Sequence, residues 1–469
     1  MILKQLIIRV LMCVAVILNF IPNSSTTYVF TTLIFIGYLA YYFIIETRYF
    51  IIYFIVFFSI LSNLLSTLLL ETQNVYLYEL GTISFYAGSF KYAFLIFVIT
   101  NEFLYFFYKK ERIKFNSLEL KDPANKNINF IDRLMLIVYL VLLGYFILNI
   151  VDKPFWVVNV GKFGYEKEVF SANPLLGNIK VILMYYSVYL GYMFYRTKNA
   201  TFILLFLLSV LSYFWIGQKF SSILFMSLYF IFPFLLKMNI KKIRKVTLRV
   251  GIMVLLILFV NRILFVNSSM NKVENDITQY FYNRLAQQNQ LWWYFYSHRD
   301  EYRNKNKVDE IIEDIRYSNE NVDNIKKIKS GEFKLIDIAA GRNMALARAQ
   351  LNAPFATGVH SQVLYYSGSI IIVLLYVILW AFFYNKITFI FFKLLGNHTF
   401  LASPLLVLFA KIYKMSFEIG FQIVNRIFQI TNIMTLILII IVFTISRMLD
   451  DKKRRFGVAL LPPLRSKRQ

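Results

Sequence analysis

Long apolar runs recur from one end of the chain to the other, separated mostly by short polar connections. Twelve reach membrane-spanning length, at about 5–21, 28–45, 49–70, 82–107, 131–151, 179–196, 200–216, 219–236, 250–266, 366–385, 399–416 and 427–448. A helix adds 1.5 Å per residue, so about 20 apolar residues cross roughly 30 Å of hydrocarbon. The pattern predicts an all-α polytopic membrane protein of about twelve spans. It also predicts the division of the chain: spans 1–9 over 1–266, one long loop over 267–360, spans 10–12 over 361–450 and a basic tail over 451–469. The first run, Leu6–Ile21, resembles a signal-peptide core. No small-residue cleavage site follows it, so it is expected to persist as the first span.

Composition sharpens this picture. Of 469 residues, 58% are hydrophobic, 18% aromatic and 16% charged. A soluble domain is nearer 45–50% apolar and about a quarter charged, so a soluble enzyme, a secreted disulfide scaffold and a disordered chain are excluded. The formal net charge is +25, from 51 Lys+Arg against 26 Asp+Glu. In a soluble protein that excess suggests nucleic acid, but in a membrane protein it follows from the concentration of Lys and Arg in cytoplasmic loops. No nucleic-acid partner is expected. Lys109, Lys110, Arg112 and Lys114 follow span 4, Lys237, Lys241, Lys242, Arg244, Lys245 and Arg249 follow span 8, and Lys452, Lys453, Arg454 and Arg455 follow span 12. All three clusters fall on one side when both termini are cytoplasmic. The Lys-poor connections at 23–27 and 71–81 then face outward. Cys13 is the single cysteine, so no internal disulfide is possible.

The long loop, 267–360, faces outward in this topology. Its basic and acidic residues are nearly balanced, and its middle, Val308–Lys329, alternates charge at helical spacing, which predicts a solvated helix. Tyr280–Tyr296 is rich in aromatics and amides, and Gly341–Gln350 is Ala-rich and strongly helix-forming. A smaller outward loop, 152–178, carries Pro154, Trp156, Gly161, Gly164 and Pro174.

Polar groups at the outer membrane face carry the candidate chemistry, because burial there is costly. Gly217-Gln218-Lys219 closes the hairpin between spans 7 and 8 and sets Lys219 at the outer mouth, beside Gln218. Its ammonium either snorkels to the interface or meets an anionic ligand. Helical spacing puts Arg284, Gln288 and Trp292 on one stripe at i, i+4 and i+8. A guanidinium, an amide and an indole together suit a phosphate or sugar surface, although a plain interfacial helix has the same pattern. Arg342 and Asn343 open the Ala-rich helix, where a cation opposes the macrodipole. An anionic partner explains Arg342 more easily than local stability does. Arg348, six residues on, points to another face. His360 precedes span 10 as an interfacial imidazole, a general base or a sugar-orienting group. Arg262 near the outer end of span 9 and Lys91 in span 4 either snorkel or line a cavity. Glu418, among Lys411, Lys414 and Arg426, fits an ion-pair partner better than a base. Three His and one Cys give no metal-ligand spacing, and no nucleotide-binding glycine motif is present. No metal or cofactor is expected.

The sequence resembles the Wzy-type O-antigen polymerases, related to the O-antigen ligases. The features that carry the resemblance are the multi-span plan with one large late outward loop, Gly217-Gln218-Lys219 in a short hairpin, Ala340-Gly341-Arg342 opening an Ala-rich helix, and Asn352-Ala-Pro354-Phe-Ala-Thr-Gly358. His360-Ser361 with Gly368 ahead of the next span completes them. The gap from His360 to Gly368 is shorter than in many members, and the Pro354–Gly358 turn is one residue longer. The resemblance implies a metal-independent glycosyltransferase of the bacterial inner membrane that uses no nucleotide sugar. It would move a growing glycan from its polyprenyl diphosphate to the non-reducing end of a new lipid-linked repeat unit. A chain-length-regulating membrane protein is a further partner implied by the family. Arg342, Arg284 and Lys219 would offset charge on the departing diphosphate, while Gln218, Gln288, Trp292, Asn343, Arg348 and Arg262 would contribute to substrate binding. His360, and next Glu418, would take the acceptor proton. A ligase acting on lipid A–core and a lipid-linked-oligosaccharide flippase remain the rival readings. The topology has a direct test: alkaline phosphatase fused at Asn319 should be active and at Lys242 inactive. The reverse pattern would overturn the orientation.

Overall fold

The structure is a computed structural model that describes residues 2–21, 25–117, 128–155, 168–170, 172–218, 220–235, 245, 248–249, 252, 277–302, 307–318, 324–329, 331–350, 360–396, 401–420, 432–442 and 444. Helices run through it as α1 (Ile2–Phe20), α2 (Ser25–Ile45), α3 (Thr47–Ile52), α4 (Phe54–Thr72), α5 (Ser89–Ser117), α6 (Phe130–Ile150), α7 (Pro174–Thr197), α8 (Thr201–Trp215) and α9 (Phe220–Leu235). The long loop folds as α10 (Ile277–Ala286), a 3₁₀ turn (Gln287–Asn289), α11 (Gln290–Ser297), α12 (Arg299–Tyr302), α13 (Val308–Ser318), α14 (Asn324–Lys327), α15 (Gly331–Ala340) and α16 (Arg342–Gln350). It is followed by α17 (Ser361–Ser367), α18 (Ile370–Leu395), α19 (Ala402–Ile419) and a last apolar helix, α20 (Asn432–Val442).

The described residues are nearly all helical, as an all-α membrane protein requires. Five helices are long and apolar enough to cross a membrane: α2, α4, the Ser89–Glu111 part of α5, α6 and α18. Shorter apolar stretches at Gln5–Phe20, Thr201–Trp215, Ser221–Leu235 and Asn432–Val442 fall on four more of the expected runs. The run expected at 250–266 lies almost wholly outside the described residues. Two expected elements differ. The run at 49–70 is two helices, interrupted at Tyr53. The run at 82–107 begins later, at Ser89, because a two-stranded antiparallel hairpin, β1 (Tyr76–Leu77) with β2 (Thr82–Ile83), precedes it.

Side-chain contacts sort the helix ends into two groups. At one end Phe20 meets Tyr92, Glu71 meets Ser89, Trp215 bonds the carbonyls of Ile150 and Val151, and Tyr376 bonds that of Ile419. The loop helices sit on this end, henceforth the cap end: α10 packs on α4, and α11 on α4, α5 and α17.

Toward the opposite end the bundle holds paired charges rather than a purely apolar core. Asp132 and Arg196 form a buried ion pair at 2.8 Å, and the Ser403 hydroxyl donates to the same carboxylate. Glu111 pairs with Lys386 and neighbours Asn385, which accepts from Tyr53 at 2.5 Å. Arg9 reaches Glu102 at 2.9 Å, and Tyr38 donates to that carboxylate while accepting from Asn101. A charge in hydrocarbon needs such a partner, because no water is there to solvate it. Nothing in the sequence periodicity marks these pairs, whose members lie 64, 93 and 275 residues apart.

Helix α7 packs most closely on α9 at Gly191. A Cβ built there would lie 2.3 Å from the Phe230 carbonyl oxygen, a backbone atom that cannot swing aside. Small residues serve this purpose where membrane helices meet backbone to backbone. Gly144 of α6 has nothing within 4 Å of its Cβ position. Gly191→Ala should therefore cost on the order of 1–3 kcal/mol through overpacking, while Gly144→Ala stays neutral. Thermal unfolding of the two variants in one detergent checks this, and equal midpoints would refute the close approach.

Candidate functional site

The cap end is organised by two carboxylates from the connection between α4 and α5. Glu71, in the last turn of α4, accepts from the backbone N–H groups of Ala87 (3.0 Å), Gly88 (2.8 Å) and Ser89 (2.7 Å) and from the Ser89 hydroxyl (2.5 Å). It thereby satisfies N–H groups at the start of α5, where a negative charge is also favoured by the helix dipole. Glu79, in the hairpin turn, receives the Gln290 amide and the Arg348 guanidinium, the latter at 2.8 Å. Three segments distant in sequence thus converge on Glu79.

The amide-rich segment is pinned beside it. Asn289 donates its N–H to the Ser66 hydroxyl (2.9 Å) and its side-chain amide to Thr67 (2.6 Å), while Ser66 donates to the Ala286 carbonyl (2.7 Å). These bonds hold the 3₁₀ turn between α10 and α11, and the turn breaks the stripe expected from i, i+4, i+8 spacing. Arg284 and Gln288 stay half-buried, with Arg284 donating to Gln287 at 3.0 Å. Trp292 does not join them: it is fully buried, and its indole N–H points to the Ser89 carbonyl at 3.4 Å. The expectation of Trp292 as a sugar-stacking face is therefore corrected to a core position. Trp293 likewise donates to the Phe85 carbonyl at 3.0 Å. Helical spacing could not anticipate this, because Ser66 and Thr67 impose the break from another span.

Arg342 is the first residue of α16, as expected, and both it and Asn343 are exposed. Arg348 faces Glu79 instead, so the two arginines diverge as their six-residue spacing predicts. Along a helix that spacing is roughly 9 Å. Asp337, near the end of α15, is raised above the usual carboxylate range by burial, offset by the Arg342 charge. The α15–α16 pair packs against α11 through α15, and Glu79 brings Arg348 beside Gln290.

His360, Gln218 and Glu418 belong to a second region. The His360 ring is wedged edge-on against Tyr376 (5.7 Å) and Trp380 (6.0 Å) and hydrogen-bonds the Gly420 backbone. Trp380 donates to the Ser416 carbonyl (2.8 Å) and Tyr376 to that of Ile419 (2.6 Å). Three rings therefore serve the backbone at the C-terminal end of α19, which no further helical N–H can reach. His360 also has φ of 52°, a left-handed conformation that costs a non-glycine residue energy and is held here by this packing. Burial pushes its pKa down to about 4, against the Gly420 hydrogen bond, which favours protonation. The imidazole is neutral at pH 7 and has little access to a substrate hydroxyl.

Glu418 pairs with Lys414 at 2.5 Å. Lys414 also lies 5.8 Å from the Phe225 ring, which directs this pair toward α9 and its hairpin. Gln218 is buried in that hairpin, where Gly217 at φ of 66° makes the turn against Phe155. Lys219 and Arg262 lie outside the described residues. Lys91, on the first turns of α5, lies over the Phe20 and Tyr92 rings at 5.8 and 5.5 Å. Sequence reasoning missed Glu71 and Glu79. Their signal was two acids in an otherwise Lys-poor, aromatic connection between spans. Compared with known proteins, the chain matches no protein-family model, no curated protein and no solved structure.

The pKa of His360 gives a signed prediction. Its ordinary value is 6.5 and its folded value about 4, so the unfolded chain takes up the proton first. The stability it contributes is complete above about pH 6.5 and is lost as pH falls toward 4. His360→Gln keeps a donor for Gly420 and removes the titration. Unfolding midpoints measured from pH 7 to pH 4 should fall more steeply for the native chain than for this variant. Parallel curves would show that His360 titrates normally.

Proposed function

We propose that the protein is a membrane glycosyltransferase that polymerises polyprenyl-diphosphate-linked oligosaccharide repeat units at the outward face of the bacterial inner membrane. The reading includes twelve spans with both termini cytoplasmic and the cap end outward. The observation that carries it is Arg342, an exposed cation at the first turn of a helix on the cap end. A cation at that position opposes the helix dipole; the Asp337 carboxylate offsets it in part, and a lipid diphosphate reaching the end of an apolar bundle would add a second anion.

The chemistry is a displacement at the anomeric carbon of the growing glycan. The acceptor hydroxyl forms the new glycosidic bond, the bond to the lipid diphosphate breaks, and the hydroxyl proton passes to a base or to water. Negative charge builds on the departing diphosphate, so fixed donors aimed at it lower the barrier more than an acid does. Arg342 and Arg284 take that role, with Lys219 as a third cation. Arg348 is held by Glu79 and acts as a positioning residue for α16. Of the two groups considered as base, His360 is buried and Glu418 is paired with Lys414, so the proton passes most directly to water. Among the described residues no group of three or more His, Cys, Asp or Glu could hold a metal ion.

Bidentate contact with phosphate oxygens is specific to a guanidinium, so lysine replaces it poorly. Arg342→Lys and Arg284→Lys should each slow polymerisation of synthetic lipid-linked repeat units by about 10²–10³-fold in purified protein. Native rates in both variants would assign the arginines to structure. The lipopolysaccharide of a deletion strain separates the related activities. Core bearing one repeat supports polymerisation, bare core with accumulated lipid-linked polymer identifies a ligase, and bare core with single repeats held inside identifies a flippase.

A further inference from the structure

Helix α13 is turned the wrong way round for a helix in water. The sequence predicts a solvated helix over 308–329. Instead α13 and α14 are separate helices, and α13 leaves part of its apolar side outward, with Ile311 and Ile315 half-buried. Val308 is 59% exposed and Ile312 58%, while Asp314 is 0% exposed and Glu310 is half-buried. At 3.6 residues per turn, Val308, Ile312 and Arg316 share an arc of about 80°, and Glu310 and Asp314 lie opposite. The inward acids are held by Lys334 of α15, at 3.0 Å from Glu310 and 3.6 Å from Asp314. Burial pushes Asp314 up to about 7 even against the Lys334 charge. Burying a Val or Ile is worth about 1.5–3 kcal/mol, while burying a carboxylate is costly. Surrounded by water alone, this face would be better turned inward.

The location of α13 identifies what covers it. The buried Lys307 ammonium, directly before α13, donates to the Tyr365 carbonyl at 2.6 Å and lies 3.5 Å from the centre of the Tyr365 ring. The Tyr365 hydroxyl returns a bond to Glu310 at 2.7 Å. Tyr365 precedes the first residue of the α18 span by only five positions, at most about 18 Å of chain even if fully extended. That span opens with Ile371, Ile372 and Leu375, all exposed on its apolar surface. The start of α13 is thus clamped to α17, no more than about 18 Å of chain from the first lipid-facing side chains of α18.

We propose that α13 lies in the membrane–water boundary, with Val308 and Ile312 in the acyl edge and Arg316 at lipid-phosphate level. It thereby anchors the cap to the bilayer beside α18. An apolar stripe flanked by a cation is how interfacial helices bind lipid, and an arginine there meets phosphate oxygens. Asp309 adjoins Arg316 at the polar edge of the stripe and Glu313 lies about 60° beyond Arg316; both are exposed. The inference needs only that α18 spans the membrane, so it stands independently of the glycosyltransferase reading.

The test uses the full chain with Cys13→Ser, which removes the single cysteine, in nanodiscs of phosphatidylethanolamine and phosphatidylglycerol. Nitroxide labels are placed singly through Val308→Cys, Ile312→Cys, Glu313→Cys and Asp300→Cys, all exposed positions. Collision with oxygen, which partitions into lipid, is compared with collision with a water-soluble nickel chelate. Labels at 308 and 312 should favour oxygen severalfold, and those at 313 and 300 should favour nickel. Nickel access at 308 and 312 equal to that at 300 overturns the proposal. Exclusion of both reagents also overturns it, and dipolar broadening between labels would then identify a second copy of the chain as the cover.

Discussion

The Glu71 carboxylate turned into the start of α5 is the contact on which the cap end depends. It closes the connection between α4 and α5 into a fixed hairpin by taking up the N–H groups of Ala87, Gly88 and Ser89. The Ser89 carbonyl then faces the Trp292 indole, and the hairpin turn carries Glu79 to Gln290 and Arg348. One buried carboxylate thereby couples two spans, the amide-rich segment and the Ala-rich helix. Losing it would leave several N–H groups unsatisfied at the end of an apolar bundle, where an unmade hydrogen bond is expensive.

The same constraint governs the rest of the bundle. Asp132 with Arg196, Glu111 with Lys386 and Glu102 with Arg9 each neutralise one charge with another across helices. Tyrosines complete these contacts, since a phenol offers a large apolar ring and one hydroxyl that both donates and accepts. Tyr38, Tyr49 and Tyr53 spend their hydroxyls on Glu102, Asn101 and Asn385. The aromatic content of the chain is therefore tied to its buried polar groups as well as to its lipid-facing surface.

Over the cap end, charge is distributed by use. Arg348 and Lys307 are committed to protein partners and hold helices in place, whereas Arg342 is presented outward. Arg348 is thereby held on Glu79, while Arg342 remains exposed beside Asp337. His360 is similarly committed: its ring supports the end of α19, so loss of activity on mutating it would follow from either packing or chemistry.

The apolar runs, the turn at Gly217-Gln218 and the start of a helix at Arg342 were legible in the sequence, because each depends on neighbours within a few residues. Residue spacing also separated Arg342 from Arg348 correctly, and the pairing of Glu418 was visible from Lys414 one turn away. What only the tertiary structure decided were contacts across long separations. Ser66 and Thr67 broke the Arg284–Trp292 stripe and sent Trp292 inward. Ser416, Ile419 and Gly420 drew Tyr376, Trp380 and His360 into one wedge. Lys334 turned Glu310 and Asp314 of α13 inward and left Val308 and Ile312 outside. Local periodicity reports which face of a helix is apolar, but the partner that pairs with each face is supplied by packing, and in a bundle that must satisfy every buried charge the partner prevails.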